Sequence, residues 1–507
     1  MGCLNGLRLY PKNLAGNSVR EKMENQAHYL NQNFTLLIII LISIVFAIIG
    51  ILSSKKHQNL SNYLTAGRNV GSLSLTTSLV ASALGAWILF GPASAATWGG
   101  LGSVIGYAIG AAFPMIAFIF LGPKIRNIFP KGNTLTEFIH KKFGKNLFKL
   151  ILIITIFYMF IFLCAEVTAV SLFVNYISGI PLWITALLII TTTLFYTLYG
   201  GLKASIFTDN FQFYIILILL FISAYYLFSL YLNNTSFDII KSNSSQLISG
   251  SYIPNYTAGL TFFIAVAATN IFHQGNWQRV YAAKNNKVLK QSLIISFIVI
   301  IPIVSFMGIS GILAISIDSQ INPDLAFFSI LLKDKAEFLS ILIVVMAVSL
   351  TVSTVDTLVN AISSIVVVDG KKFSKSSIKK NFLKFSKFFI IILSIGAFII
   401  ASRGYSILYL FLLADLLCCA AVFTVFYGFY QNNLKEKKLI ISIFTGLFLG
   451  LIFFPSSDFA NSILVGGLMP FDLFPQIVLN SLLFWSFLLA TLSPVIVIMS
   501  YDSFKRR

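Results

Sequence analysis

The stretch SLTVSTVDTLVNAISSIVVVD, from Ser349 to Asp369, decides the fold of this chain. It follows FLSILIVVMAV, an almost purely apolar segment, and together they are long enough for a helix that crosses a bilayer. Five polar residues recur in it at three- and four-residue spacing, which places them on one helix face: Ser349, Ser353, Asp356, Asn360 and Ser363. Polar side chains in a membrane helix are costly, so we expect this face to line the bundle interior, for function or for helix packing.

Composition extends this interpretation to the whole chain. The 507 residues are 57% hydrophobic and only 10% charged, with a mean hydropathy of +0.88. Soluble domains carry about 25% charged residues, so the chain is predicted to be an all-α polytopic membrane protein. We predict about thirteen transmembrane helices, at 36–53, 71–97, 101–122, 147–178, 181–199, 209–232, 258–275, 288–317, 337–367, 384–402, 405–430, 438–454 and 479–499.

The net charge of +19 does not indicate nucleic-acid binding, because the basic residues are distributed as in a membrane protein. Alternate loops hold most of the Lys and Arg, and the opposite loops hold only Lys241, Lys333, Lys335 and Arg403. This positive-inside asymmetry predicts an outside amino terminus and a cytoplasmic carboxyl terminus in the plasma (inner) membrane. The lipid bilayer is therefore one expected partner, and the sequence does not indicate an oligomeric state.

The amino-terminal tail, residues 1–35, departs from this pattern because it places four basic residues outside: Arg8, Lys12, Arg20 and Lys22. Either translation begins at Met23, or a short tail is translocated despite its charge. Downstream, KGNTLTEFIHKKFGKN predicts a short interfacial helix with Thr134 or Thr136 near its cap. Cys164, Cys418 and Cys419 lie within spans, and together with Cys3 they form no disulfide or zinc spacing.

Two predicted spans look broken. In SLSLTTSLVASALGAWILFGPASAATWGG, the residues Gly85, Gly91 and Pro92 interrupt the helix, and GLTFFIAVAATNIFHQGNWQR carries polar residues at its cytoplasmic end. Interrupted spans in matching positions of two halves indicate a transporter binding site. The pattern therefore suggests, without deciding, a leading helix (36–53), two five-helix inverted repeats (71–232 and 258–430), each with a broken first helix, and trailing helices with a cytoplasmic tail (438–507).

Five motifs in order carry a resemblance to a known family. They are NYLTAGRNVGSLSLTTSLVAS, TLTEFIHKKFG, YTLYGGLKASIFTDNFQ, NWQRVYAAKN and STVDTLVNAISSIVVVD. The chain resembles the sodium:solute symporter family over nearly its whole length after residue 35. That resemblance implies the inverted-repeat fold seen in the leucine transporter, and inward movement of a solute with Na⁺ as the co-transported ion.

The resemblance also implies a sodium site between the first and eighth core helices. Its side-chain ligands would be Ser353 and Thr354, and its backbone ligands the carbonyls of Ala81, Leu84 and Leu350. Hydroxyls and carbonyls suit a hard cation that must also be released.

Two further implications of the resemblance concern single positions. Asp209 would be a way-station for sodium near the cytoplasm. Ala83 stands where the proline transporter has an aspartate, which puts proline in doubt, although GAWILFGP resembles that branch; the polar set that binds sugars is not evident.

Other intramembrane residues have open roles. Asp356 has either a structural role or a role in cation affinity or proton binding, and Glu166 and Asp415 are either structurally paired or part of transport. We expect Trp87, Phe90, Asn270 and His273 to form the substrate pocket, although His273 could equally close a cytoplasmic gate or donate to a backbone carbonyl.

We therefore predict a sodium-coupled secondary symporter that imports a small polar organic solute, such as an amino acid, urea or an organic acid. One alternative is a proton-coupled carrier, in which Asp356, Glu166 or Asp415 would carry the proton. Another is a sensory input module of the same fold, disfavoured because no signalling domain is recognisable. An enzyme is not expected, since the sequence shows no nucleophile–base pair or metal cluster, and no organic cofactor is expected either.

Overall fold

The computed structural model describes residues 29–54, 60–231, 235–333, 337–372, 382–431, 434–456, 459, 462 and 474–504. The suggested start at Met23, most of the tail and Cys3 lie outside these residues. The α-helices are α1 Gln32–Ser54, α2 Leu60–Thr65, α3 Ser72–Ala83, α4 Trp87–Ile128, α5 Leu135–Phe143, α6 Lys145–Ser178, α7 Leu182–Tyr231, α8 Thr235–Asn243, α9 Ile253–Phe272, α10 Gln274–Ala282, α11 Asn286–Ile317, α12 Ala326–Leu331, α13 Glu337–Asp369, α14 Phe382–Ala401, α15 Ile407–Tyr427, α16 Glu436–Phe453, α17 Gln476–Leu479 and α18 Leu482–Phe504.

The helices confirm a polytopic all-α membrane protein. Within the described residues, ten helices are long and apolar enough to cross a membrane. Two of them, α4 and α7, turn sharply at Gly100 (φ 57°, ψ −153°) and Gly201 (φ 61°, ψ −153°), where only glycine adopts the conformation easily. Each of these two helices is longer than one crossing requires, and the predicted count of thirteen spans stays a prediction.

Both predicted breaks are present, although the first is shorter than expected. The helix α3 ends at Ala83, Leu84 leaves the helical conformation (φ −99°, ψ 80°), and α4 begins at Trp87. The prediction that Gly91 and Pro92 also interrupt this span is wrong, because α4 continues through both. The second break is at His273 (φ −60°, ψ 110°), between α9 and α10. The repeat boundaries themselves stay a prediction.

The helix α13 lies at the centre of the bundle. It packs against α1, α3, α6, α7, α10 and α14, and 78% of its most apolar 18-residue window is buried. All five residues of its polar stripe are at most 2% exposed. The stripe therefore faces protein, as its spacing predicts.

One smaller prediction, the capped helix after Gly132, is also confirmed. The interfacial segment forms α5, and Thr134 caps it by accepting a hydrogen bond from the Glu137 backbone N–H (3.0 Å). Cys164, Cys418 and Cys419 are free and buried in the core.

Candidate ion and solute sites at the helix breaks

The break between α3 and α4 lies against two buried oxygen atoms that have no hydrogen-bond partner in the described part of the chain. They are Thr354 Oγ1 on α13 and Glu166 Oε1 on α6. Gly85 separates them: a Cβ on Gly85 would lie 2.8 Å from Thr354 Oγ1 and would overlap the Glu166 carboxylate. Only glycine allows the backbone to approach both oxygens this closely. The absence of a side chain at Gly85 therefore brings the break within reach of Thr354 and Glu166.

Backbone carbonyls at the same break are also unused. The carbonyl oxygens of Ala81 and Leu84 accept no hydrogen bond from the described residues, whereas Val80 accepts one from the Leu84 N–H (2.9 Å). Leu350 lies one turn before Thr354 on α13 and is fully buried. Of the five residues predicted to bind sodium, Ala81 and Leu84 thus lie at the break, and Leu350, Ser353 and Thr354 lie on α13. Their ligand role stays a prediction.

Glu166 contacts the start of α4 at the break. Its Oε2 accepts a hydrogen bond from the Ala86 backbone N–H at 2.8 Å. This N–H belongs to the start of α4, where backbone donors have no partner inside the helix and where the helix dipole favours a negative charge. Glu166 therefore supports the start of α4 through one oxygen and leaves the other beside Gly85.

Ser353 is joined to a buried ion pair. Its hydroxyl donates to Asp209 Oδ1 (2.6 Å), and Asp209 Oδ2 pairs with Arg279 Nη2 at 2.7 Å. Ser78 on α3 donates to Asp209 (2.5 Å), and Arg279 also donates to Thr357 (2.9 Å). This cluster connects α3, α7, α10 and α13, and it lies beside the predicted sodium site.

Asp356 is satisfied by neutral donors. Tyr196 and Ser205 donate to its two oxygens at 2.7 Å each, and Thr208 donates at 3.2 Å. All three donors lie on α7. The carboxylate therefore fastens α13 to α7, which fits the structural alternative stated above.

A small cavity lies next to the breaks, between α4, α6, α9 and α15. It is lined by Trp87, Tyr107, Phe162, Val266, Thr269, Asn270, Phe411 and Asp415. Its free volume of about 20 Å³ holds about one water molecule, so it must widen before an organic solute can enter. Two of the four predicted pocket residues, Trp87 and Asn270, line it.

The other two predicted pocket residues do not line this cavity. Phe90 packs edge-on against Phe328 (ring centroids 5.1 Å apart). His273 lies at the second break, where its Nδ1 accepts from the Gly275 N–H (3.1 Å) and caps α10. Nothing in the sequence distinguishes the rings of Tyr107, Phe162 and Phe411 among 49 Phe and 20 Tyr residues, so they were not predicted. The intramembrane acid Asp415 is the sequence signal that marks this part of the cavity.

Broken membrane helices around buried, unpaired oxygens and a closed central cavity define the class of secondary transporters. The family model of the sodium:solute symporter family matches residues 63–446, and the chain belongs to that family.

Several curated proteins are similar to this chain. The spermidine transporter DUR31 of Candida albicans is 27% identical over 383 residues, which cover 75% of this chain and 71% of that protein. The sodium/proline symporter of Haemophilus influenzae is 27% identical, over 42% of this chain and 43% of that one. The bovine sodium/myo-inositol cotransporter 2 is 30% identical, over 32% of this chain and 24% of that protein.

Two solved structures support the fold alone. A Na⁺-coupled sialic acid symporter in a substrate-bound outward-open state has a TM-score of 0.70 and 18% identity, covering 91% of this chain and 96% of that one. The closed conformation of Mhp1, a nucleobase-cation-symport-1 transporter, has a TM-score of 0.50 and 15% identity, covering 87% and 96%. This chain therefore has the fold of these transporters, which is the inverted-repeat fold expected from the sequence.

Proposed function

We propose that this protein is a Na⁺-coupled symporter that imports a small polar organic solute by alternating access. The sodium ion would bind where the α3–α4 break meets α13. The observation that carries this proposal is the set of unused oxygens there: Thr354 Oγ1 is buried without a partner, and the carbonyls of Ala81 and Leu84 accept no hydrogen bond. Buried polar atoms without partners cost free energy, and a bound cation would offset that cost.

The proposed ligands have the chemistry that sodium transport requires. Hard cations prefer oxygen ligands, and a mostly neutral set binds weakly enough to release the ion. The Ser353 hydroxyl and the Leu350 carbonyl would complete the set. Asp209, 2.6 Å from the Ser353 hydroxyl, would receive the ion on its way to the cytoplasm.

Coupling follows from the position of Trp87. This residue begins α4 directly after the break, and its ring lines the solute cavity. A sodium ion that fixes the break would therefore also fix one wall of the solute site. Because binding free energies are reciprocal, solute binding would then raise the affinity for sodium by the same factor.

Names of similar proteins bear on the solute and the ion. The Candida relative, matched over 75% of this chain, is named for spermidine, the Haemophilus relative for sodium and proline, and the bovine relative, matched over 32%, for sodium and myo-inositol. Of these three, the match that covers most of this chain therefore favours a nitrogen-containing solute. The unused oxygens at the break favour sodium over the proton as coupling ion, since a proton needs only one acceptor.

The sodium proposal is tested on purified protein by thermal unfolding in NaCl and in KCl. We expect NaCl to raise the melting temperature, and Thr354→Ala to weaken apparent sodium affinity roughly tenfold or more, because bonds to charged groups contribute about 1.5–3 kcal/mol. Thr354→Ser keeps the hydroxyl and should bind sodium. The control is Thr351→Ala, on the same helix, whose hydroxyl bonds to Ala347 (2.9 Å). Equal stability in both salts, or unchanged affinity in Ser353→Ala with Thr354→Ala, would overturn the proposal.

The proposed location is the plasma (inner) membrane, with the amino terminus outside and the carboxyl terminus in the cytoplasm. Single cysteines at Lys241 and Lys131 test this orientation with a membrane-impermeant maleimide. Lys241→Cys should react in intact cells and Lys131→Cys only after permeabilisation. The unmodified protein gives the background, since its described cysteines are buried. The reverse labelling pattern would contradict the orientation.

A further inference from the structure

Asp415 on α15 is a buried carboxylate without an ion-pair partner. It is 5% exposed, and its Oδ1 accepts a hydrogen bond from the Thr269 hydroxyl at 2.6 Å. No described residue donates to its Oδ2, and the ion pairs of the described residues join other groups, Arg279 with Asp209 and Lys372 with Asp369. A charge buried in a membrane protein normally has a partner, and here none of the described residues supplies one.

Four aromatic rings line the same cavity as this carboxylate. Trp87 and Tyr107 stack with their ring centroids 5.6 Å apart, and Phe162 meets Phe411 edge-on at 4.7 Å. Ring faces attract cations through their quadrupole, and the attraction is strongest where water is excluded. A cavity lined by a carboxylate and four aromatic rings is therefore an environment that favours a positive charge.

The remaining polar atoms of the cavity also suit a donor ligand. Asn270 Nδ2 donates to the Val266 carbonyl (3.0 Å), which leaves its Oδ1 without a partner among the described residues. Trp87 Nε1 donates to the Ala83 carbonyl (3.2 Å), so that donor is already used. No basic side chain lines the cavity. Its free groups are mainly hydrogen-bond acceptors, which match the N–H donors of an ammonium group.

We propose that the transported solute is an organic amine in its cationic form. Its ammonium group would pair with Asp415 and lie against the rings of Trp87, Tyr107, Phe162 and Phe411, with Asn270 Oδ1 as a second acceptor. This inference rests on the proposed symport function. The experiment is therefore chosen so that failure of the amine proposal can be told apart from failure of the sodium proposal.

A set of four-carbon probes isolates the charge of the solute from its size. Putrescine carries two ammonium groups, butylamine one, 4-aminobutyrate an ammonium and a carboxylate, 1,4-butanediol no charge, and succinate two carboxylates; spermidine extends the series. Thermal unfolding of the purified full chain is measured with each probe in NaCl and in KCl. We expect putrescine, butylamine or spermidine to raise the melting temperature, and 1,4-butanediol and succinate to leave it unchanged.

Asp415→Asn is the decisive variant. It should weaken binding of the cationic probes roughly 30-fold or more, because removing one partner of a buried charge pair costs at least about 2 kcal/mol. The control is Asp324→Asn, which changes another carboxylate with a single hydroxyl donor, Ser94 (3.0 Å), away from the cavity. Phe411→Leu is a second variant that keeps the charge, and we expect it to weaken cation binding roughly fivefold.

The outcomes separate the two proposals. If NaCl raises the melting temperature but no amine does, the amine inference is overturned and the symport proposal stands. The same holds if putrescine and 1,4-butanediol raise the melting temperature equally. Amine shifts that are the same in Asp415→Asn and in the unmodified protein also overturn it. Amine shifts that depend on Asp415 but are equal in NaCl and KCl support the amine site and count against sodium coupling.

Discussion

Asp209 Oδ2 lies 2.7 Å from Arg279 Nη2, and neither side chain is exposed. Arg279 belongs to the half-helix after the second break, and Asp209 also accepts from Ser78 on α3, the half-helix before the first break, and from Ser353 on α13. This pair therefore joins the two interrupted helices through one carboxylate. Any movement of α10 relative to α13 must break or carry these bonds.

Removing one member of this pair should lower the stability of the protein more than removing both. Arg279→Gln leaves a buried carboxylate without its cation, and we expect a loss of about 3–5 kcal/mol of stability. The double variant with Asp209→Asn should recover part of that loss. A thermal-unfolding double-mutant cycle measures the coupling.

The control for this cycle is the pair of Lys372, whose side chain is 21% exposed, and the buried Asp369, 2.7 Å apart. Lys372→Gln should cost less stability than Arg279→Gln, because water reaches Lys372 and the Thr134 and Thr136 hydroxyls still donate to Asp369. If the stability losses of Arg279→Gln and Asp209→Asn simply add in the double variant, the two side chains do not stabilise each other.

Gly85→Ala should damage the sodium site while leaving the fold assembled. The added methyl group would overlap the Glu166 carboxylate and lie 2.8 Å from Thr354 Oγ1. Such overpacking costs about 1–3 kcal/mol, so we expect apparent sodium affinity to fall roughly tenfold. The measurement is the sodium dependence of the melting temperature.

Gly71→Ala is the matched control, because a Cβ there meets no atom within 4 Å. It changes only the residue before α3, which should cost about 1 kcal/mol or less, with sodium affinity unchanged. If both glycine variants weaken sodium binding equally, the close contact at Gly85 has no special function.

The fold was largely predictable because hydropathy, charge asymmetry and capping act locally. The break before Trp87 and the cap at Thr134 follow from residue types at fixed spacing. The failure at Gly91 and Pro92 has a tertiary cause, since neighbouring helices in a membrane bundle support a helix through a proline. Position along the chain alone cannot show that support.

The solute cavity was only partly predictable. Trp87 and Asn270 line it because they lie next to the breaks, which the sequence marks. His273 lies at a break too, but its ring caps α10, and Phe90 is used in packing against Phe328. Which aromatic rings meet across α4, α6 and α15 depends on helix packing, and no local pattern carries that information.

Asp356→Asn tests the proton-coupled alternative. The substituted amide would place an N–H₂ group against hydroxyl donors such as Tyr196 and Ser205, and we expect a loss of about 1–3 kcal/mol of stability. Sodium-dependent stabilisation should persist, because Asp356 is already satisfied by α7. Sodium-independent binding of the solute that rises at low pH, and that disappears in Asp356→Asn, would assign the proton to this residue.

Glu166 allows its two roles at the first break to be separated. Glu166→Gln keeps an oxygen that can accept from the Ala86 N–H, so α4 should still begin at Trp87, but it removes the negative charge beside Gly85. Glu166→Ala removes both, and the unpaired Ala86 N–H should cost a further 1–3 kcal/mol, approximately. We therefore expect both variants to bind sodium more weakly, and only Glu166→Ala to lose substantial stability in KCl. Thermal unfolding in each salt measures the two effects, and Thr351→Ala again serves as the control. Equal losses of stability in KCl for the two variants would show that the charge of Glu166, and not its hydrogen bond to Ala86, supports the start of α4.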